Sequence, residues 1–317
     1  MDIQFLLFLQ SVREALPSFV TLLFTGITFL GEPYIPLIGA FLLYWCFDKR
    51  MGRRFILISS LADFWNGILK ITFCVYRPWV RSPEIHPAKA ALSGATGYSF
   101  PSGHSSKAVA AYGALWTDTR KKHRAWNLLP LLIALVLFSR CFLGCHTLRD
   151  VLAGLALGVF TIWSADLALR WSDAKDGRDI VLMIAGLALC LAGMLYAKLR
   201  VYPMDYDASG ALLVDPVQMR HDTFLGIGAL AGMLPAFALE KRYVRFTTDG
   251  TRREKTIRFG IGFAIVLLLY FGVRKLLQIP FGRDWGAALG AALCMFFAVF
   301  LYPLVFTKFT EKRRGTA

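Results

Sequence analysis

Charge is scarce in this chain. Charged residues occupy 18% of the 317 positions against 56% hydrophobic ones, and mean hydropathy is +0.52. Such a balance excludes an ordinary soluble domain and points to an integral membrane protein. Cysteine is sparse too, with six residues and no CxxC pattern or metal-ligand spacing among them. Cys46, Cys74, Cys141, Cys145, Cys190 and Cys294 lie in or beside apolar segments, so they read as small buried hydrophobes. No basic n-region leads into an apolar stretch with a small-residue cleavage site, so no cleavable signal peptide is expected. Soluble domains, linkers, low-complexity tracts and internal repeats are also missing.

What the chain does hold is a succession of apolar segments. A span takes about 20 mostly apolar residues. Nine stretches qualify: 33–47, 55–76, 102–117, 127–143, 150–170, 180–197, 222–239, 258–273 and 284–306. The expected fold is all-α, a polytopic transmembrane helical bundle of about nine spans. Residues 1–32 differ. Ser18, Thr21, Thr25 and Thr28 form a polar stripe about one helical turn apart, which suits an interfacial helical segment on the outer face. A tenth span, with the N-terminus inside, is the alternative.

The formal net charge of +15 raises the question of nucleic acid, and its distribution answers it. Basic residues crowd every second loop: "DKRMGRR" at 48–54, "RKKHR" at 120–124, the stretch 240–258 and the tail at 308–314. Alternation of this kind is the positive-inside rule, so these loops and the C-terminus are expected in the cytoplasm. The intervening loops 77–101, 144–149, 198–221 and 274–283 then face outside. The basic charge sets topology, and no nucleic-acid partner is implied.

Three stretches approach that outer face. In "FILISSLADFWNGILKITFCVYRPW", Lys70 and Arg77 stand seven residues apart, close to two turns, and so project from nearly one face. Ionisable groups inside a span are costly, which makes them functional candidates. Asp63 and Asn66 share the Lys70 face as possible supports for the lysine. In "YSFPSGHSS", Pro101 to His104 open a helix; free backbone N–H groups there, with Gly103 allowing close approach, suit a phosphate oxygen. In "SRCFLGCHTLRDVLAG", Gly144 ends one helix. His146 and Asp150 fall four residues apart at the start of the next, where a carboxylate can orient an imidazole. A surface ion pair at a loop edge is the other reading of Arg140, His146 and Asp150 in this stretch.

Taken together, "KITFCVYRP", "PSGH" and "SRCFLGCHTLRD" resemble the three motifs of the type 2 phosphatidic acid phosphatase superfamily, with eleven fixed residues in order and at the right spacings. The superfamily includes lipid phosphate phosphatases, glucose-6-phosphatase and vanadium haloperoxidases. The resemblance covers roughly 33–170, a phosphatase core that the family builds from six helices. It leaves 171–317 as additional C-terminal transmembrane helices and 1–32 as the N-terminal segment. It implies that His146 is the nucleophile forming a phosphohistidine, that Asp150 orients it, and that His104 protonates the leaving oxygen and then activates water. Lys70, Arg77, Ser102, Gly103 and Arg140 would hold the phosphoryl oxygens. No metal and no cofactor are implied.

Many spans with a site at the membrane face suggest a substrate presented by the lipid bilayer: a phosphorylated lipid or a polyprenyl diphosphate. The loop 79–100 would cap the site, with Arg81, His86 and Lys89 as further substrate contacts or solvated residues. Three alternatives stand beside this reading: a phosphatase of soluble phosphate esters, a phosphotransferase using a lipid diphosphate donor, and a non-catalytic membrane protein. The clean positive-inside pattern suits a bacterial inner membrane. The sequence is silent on oligomeric state.

Overall fold

The computed structural model describes residues 2–32, 34–92 and 94–315, with side chains as far as 309. Within them the apolar runs form helices, joined by turns that carry the charge, glycine and proline. In chain order these are α1 (Asp2–Ala15), α2 (Ser18–Phe29), α3 (Tyr34–Leu42), α4 (Lys49–Phe73), α5 (Pro78–Arg81), α6 (Gly103–Thr119) and α7 (Leu129–Phe142). They continue with α8 (Leu148–Asp173), α9 (Arg178–Leu199), α10 (Pro216–Leu239), α11 (Arg252–Leu268), α12 (Arg274–Phe281), α13 (Arg283–Phe296) and α14 (Tyr302–Gly315). Among the described residues the only extended pairing is a single bridge, Tyr206 with Leu212.

Among the described residues seven helical stretches have the length and apolarity to cross a membrane, and the chain is an all-helical, multi-pass protein. The other two expected spans differ for physical reasons. Tyr34–Phe47 is short and pairs with Ser18–Phe29 across a bend of 43°, which would make an eighth. Gly103–Thr119 has only 17 residues, and ten of them are buried against protein.

The chain divides into two compact units. The first comprises Met1–Pro36, Trp65–Trp163 and Arg200–Arg220; the second comprises Leu37–Phe64, Ser164–Leu199 and His221–Ala317. In the first, α1 lays Leu6 and Leu9 on Ile85, Cys141 and Val151. Phe24 of α2 meets Phe142 of α7 at 4.5 Å. Arg13, buried at the end of α1, donates to the Phe142 carbonyl at 3.0 Å and to the His86 carbonyl, which ties the stretch 79–100 to the end of α7. The α6 and α8 backbones approach closely because α8 presents glycine there. A Cβ on Gly154 would come within 2.7 Å of the Ser102 carbonyl oxygen, and one on Gly158 within 2.5 Å of Val109. Small residues four apart let helices pack at this separation.

In the second unit π-turns widen the helix ends at Leu43–Phe47 and Phe297–Leu301. Carbonyls in the latter accept side-chain bonds: Trp45 Nε1 donates to Ala298 at 2.8 Å, and the Tyr44 hydroxyl to Val299 at 3.1 Å. Charges close into pairs, Lys49 with Glu240 at 2.6 Å and Arg54 bidentate on Asp166 at 2.6 and 3.0 Å.

Candidate active site

All three motifs fall in the first unit, at the C-terminal ends of α4 and α7 and the N-terminal ends of α6 and α8. Motif three is built by a reversing turn. Gly144, at φ +72°, ends α7, and the Arg140 carbonyl accepts from the amides of Cys145 and His146 at 3.0 and 3.2 Å. The chain thereby folds His146 back beside Arg140. Thr147 and Asp150 then cap α8 reciprocally: the Thr147 amide donates to Asp150 Oδ2 at 2.8 Å, and the Asp150 amide to Thr147 Oγ1 at 3.4 Å.

His146 and Asp150 come together as the spacing predicts, though less directly than a dyad. Nδ1 lies 3.6 Å from Asp150 Oδ2, beyond a good hydrogen bond. The buried Ser99 hydroxyl fills the gap, 3.2 Å from His146 Nδ1 and donating to Asp150 Oδ2 at 2.6 Å. The Ser99 amide donates to Val75, so one residue links motif one to the histidine. Sequence reasoning missed Ser99. Its only signal is its place two residues before "PSGH".

Arg77 packs on the opposite edge of the imidazole, with Nη1 2.7 Å from Nε2. A guanidinium has only donors, so Nε2 must be the acceptor. The His146 proton therefore sits on Nδ1, facing Ser99 and Asp150, and the lone pair sits on Nε2. The loop between α7 and α8 buries this imidazole. That burial, with the charges of Arg77, Arg140 and Lys70, pushes its pKa well below the ordinary histidine value and favours the neutral ring. Arg77 itself is fixed by the carbonyls of Gly97, Cys145 and Thr96, each at 3.0 Å.

The other cations are held with less. Lys70 donates to the Tyr98 carbonyl. Arg140, 1% exposed, donates from Nη1 to Thr28 Oγ1 at 2.7 Å, while Nε and Nη2 have no partner among the described residues. A buried guanidinium with two unmatched donors costs free energy, and an oxyanion between them would remove that cost.

Ser102 and Gly103 open α6. Ser102 is its N-cap, accepting from the Ser105 hydroxyl at 2.9 Å and the Ser105 amide at 3.4 Å, and its own amide donates to the Asp150 carbonyl at 2.9 Å. Gly103 sits close beside Asn66, whose Oδ1 would stand 3.2 Å from an added Cβ. Asn66 donates to the Pro101 carbonyl at 3.4 Å and to Ser106 Oγ at 3.3 Å, so it supports this turn, where the sequence suggests support for Lys70. Asp63 belongs to the other unit and is half-buried there. His104, also buried, has Nε2 3.0 Å from Glu32 Oε1. Neither Glu32 nor Thr28 is among the residues that the motif spacing singles out, because both lie far upstream of the first motif.

Arg81, at the end of α5, and His86 and Lys89 beyond it are exposed, and His86 binds α1, its amide donating to Gln10 Oε1 at 2.7 Å. Arg200 donates to the Thr72 carbonyl of motif one at 2.6 Å. Among the described residues no group of three or more His, Cys, Asp or Glu is arranged to hold a metal ion.

Comparison with known proteins gives the family. Residues 52–175, which contain all three motifs, match the model of the PAP2 superfamily, and residues 224–314 match that of a PAP2 superfamily phosphatase transmembrane extension. A protein of Arabidopsis thaliana named lipid phosphate phosphatase delta is 28% identical over 140 residues, 40% of this chain and 34% of that protein. The chain thus spans only a third of that relative's length. Phosphatidylglycerophosphatase B of Bacillus subtilis (strain 168) is 30% identical over 173 residues, 47% of this chain and 79% of that protein. No solved structure gives a significant match. The chain, all-helical and multi-pass, belongs to the PAP2 superfamily.

Proposed function

We propose that this chain hydrolyses a lipid phosphate or lipid diphosphate at the extracytoplasmic face, through a phosphohistidine on His146 and without a metal ion. The observation that carries the reading is the pairing of a neutral His146, its lone pair on Nε2, with a buried Arg140 that has two guanidinium donors to spare. A nucleophile beside unspent anion donors fits phosphoryl transfer, where charge stabilisation and positioning supply most of the catalysis.

His146 Nε2 attacks phosphorus in line as the bond to the leaving oxygen breaks. His104 delivers a proton to that oxygen. Arg77, Arg140 and Lys70 hold the phosphoryl oxygens with the N-terminus of α6, while Ser99 and Asp150 keep the proton on Nδ1. Water then attacks the phosphohistidine, giving its proton to His104. The N–P bond breaks, and inorganic phosphate leaves. Three fixed cations stand where other phosphatases use a divalent ion.

The two relatives' names both denote phosphatases of lipid phosphates. The many spans and the site at helix ends fit a substrate delivered by the bilayer. Charge supports the outer face, since α4 carries its basic cluster at the end opposite Lys70. Phosphate release from purified protein tests the reading with EDTA present. The panel is phosphatidylglycerol phosphate, phosphatidate, a polyprenyl diphosphate, sphingosine-1-phosphate and glucose-6-phosphate. Release from a lipid, kept in EDTA and lost in His146→Ala, is expected. Release confined to glucose-6-phosphate, or surviving the substitution, would overturn it.

A further inference from the structure

The N-terminal segment lies outside the stretch 52–175 that matches the superfamily model, yet it reaches two site residues. Thr28, at the end of α2, takes the bond from Arg140, and Glu32, just beyond, meets the acid–base histidine at 3.0 Å. The approach is built. The Tyr112 hydroxyl, about two turns along α6 from His104, donates to the Leu30 carbonyl at 2.7 Å and fastens the turn to that helix. On the far side the carboxylate rests on Gly94, where an added Cβ would come within 2.8 Å of Oε1. The Glu32 side chain is 23% exposed and that of His104 10%.

The chemistry asks for such a partner. An ionised carboxylate only accepts, so its hydrogen bond places a proton on His104 Nε2 and leaves Nδ1 for the substrate. Around His104 stand Arg140 from α7, Lys107 from its own helix and the His146 imidazole. The arginine and the lysine suit a phosphoryl group but oppose charging the His104 imidazole, which must give up a proton. The bond from His104 lowers the Glu32 pKa, with help from the charges of His104, Lys107 and Arg140, against the effect of burial. Glu32 is thus an anion at neutral pH.

We infer that Glu32 is the positioning residue and counter-charge of His104, so that the N-terminal turn completes the catalytic centre. The inference rests on the reading above, in which His104 protonates the leaving oxygen. In that step the Nδ1 proton moves to the oxygen as its bond to phosphorus breaks and the bond to His146 Nε2 forms. The Nε2 proton stays on Glu32's hydrogen bond throughout. Dependence on Glu32 then grows with the basicity of the leaving group: an alkoxide needs the proton, whereas a nitrophenolate barely does.

The test is kcat/KM for the full-length protein in detergent on p-nitrophenyl, phenyl and alkyl phosphates, in wild type, Glu32→Gln, Glu32→Asp and His104→Ala. General acid catalysis contributes about 10²–10⁴-fold. Glu32→Gln is expected to lose about tenfold or more of that on the alkyl ester, and to stay within about threefold of wild type on the p-nitrophenyl ester. Glu32→Asp, which keeps the charge but retracts it, should fall between, and it carries the same comparison if Glu32→Gln does not fold. A loss equal across all three esters, or no loss, overturns the inference while leaving the phosphohistidine reading intact. If His104→Ala also shows no leaving-group dependence, or wild type releases nothing, the underlying reading fails first.

Discussion

The two units differ in how most of their charges are held. In the second, acids close on cations, Glu240 on Lys49, Asp166 on Arg54 with two bonds, and Arg242 on Asp179 at 3.3 Å, although the buried Arg258 binds the carbonyls of Trp45 and Asp249. Its α10 and α13 meet along glycine, where a Cβ on Gly228 would come within 2.2 Å of the Ala288 carbonyl oxygen and one on Gly232 within 2.0 Å of that of Ala292. In the first, Arg77 and Lys70 bind backbone carbonyls, which leave their charge uncancelled, and Arg140 has donors to spare. Paired charge holds helices together, and close packing at glycine is common to both units. On the proposed function, cations left in excess receive a visiting anion, and that difference separates scaffold from site.

Conservative exchange of one arginine in each unit should break the comparison most visibly. Arg140→Lys loses the fork that holds two oxygens, so kcat/KM is expected to fall about 10²-fold or more with little change in melting temperature. Arg54→Lys should stay within about threefold in turnover, since a lysine still pairs with Asp166. Equal losses in the two variants would erase the distinction.

Ser99→Ala is the next step down. The bridge between His146 and Asp150 goes, and kcat on a lipid phosphate should drop about tenfold while KM holds, because the loss is in orientation of the nucleophile. A rise in KM alone would assign Ser99 to substrate binding.

Glu240→Gln probes the scaffold. It uncouples the partly buried Lys49, at a cost of order 3 kcal/mol. The melting temperature should fall by several degrees, and turnover per folded molecule should not change. A selective loss of turnover would join the second unit to the chemistry.

The smallest effect is in pH. Burial and the neighbouring cations hold the His146 pKa below the ordinary histidine value, so the unfolded chain binds a proton there that the folded chain refuses. Stability should therefore decline as pH falls below about 6.5, and less steeply in His146→Gln. Identical melting curves for the two proteins from pH 7 to 5 would contradict the shift.

Much of this was legible beforehand. The spacing of Lys70 and Arg77, the "PSGH" turn and the four-residue step from His146 to Asp150 place these residues together because helix periodicity fixes them locally. Gly144 marks its helix end by a conformation that favours glycine. What stayed hidden is long-range. Glu32 lies 72 residues from His104 and Thr28 lies 112 from Arg140, distances over which no period carries. Ser99 is a single serine in a loop, made meaningful only by the fold around Asp150. Asn66 shows the limit of periodicity: it shares a face with the lysine, but its amide is spent on the Pro101 carbonyl. The short α6 reads as a span by composition, although ten of its residues are buried against protein.

Rapid acid-free quenching of the wild-type protein with a ³²P-labelled lipid phosphate, followed by mapping of the label, addresses the phosphohistidine most directly. Acid-labile, base-stable label on His146, formed in EDTA, absent from His146→Ala and accumulating in His104→Ala with an activated ester, is the expected result. Turnover with no labelled protein at any quench time, or label on a residue other than His146, would contradict it.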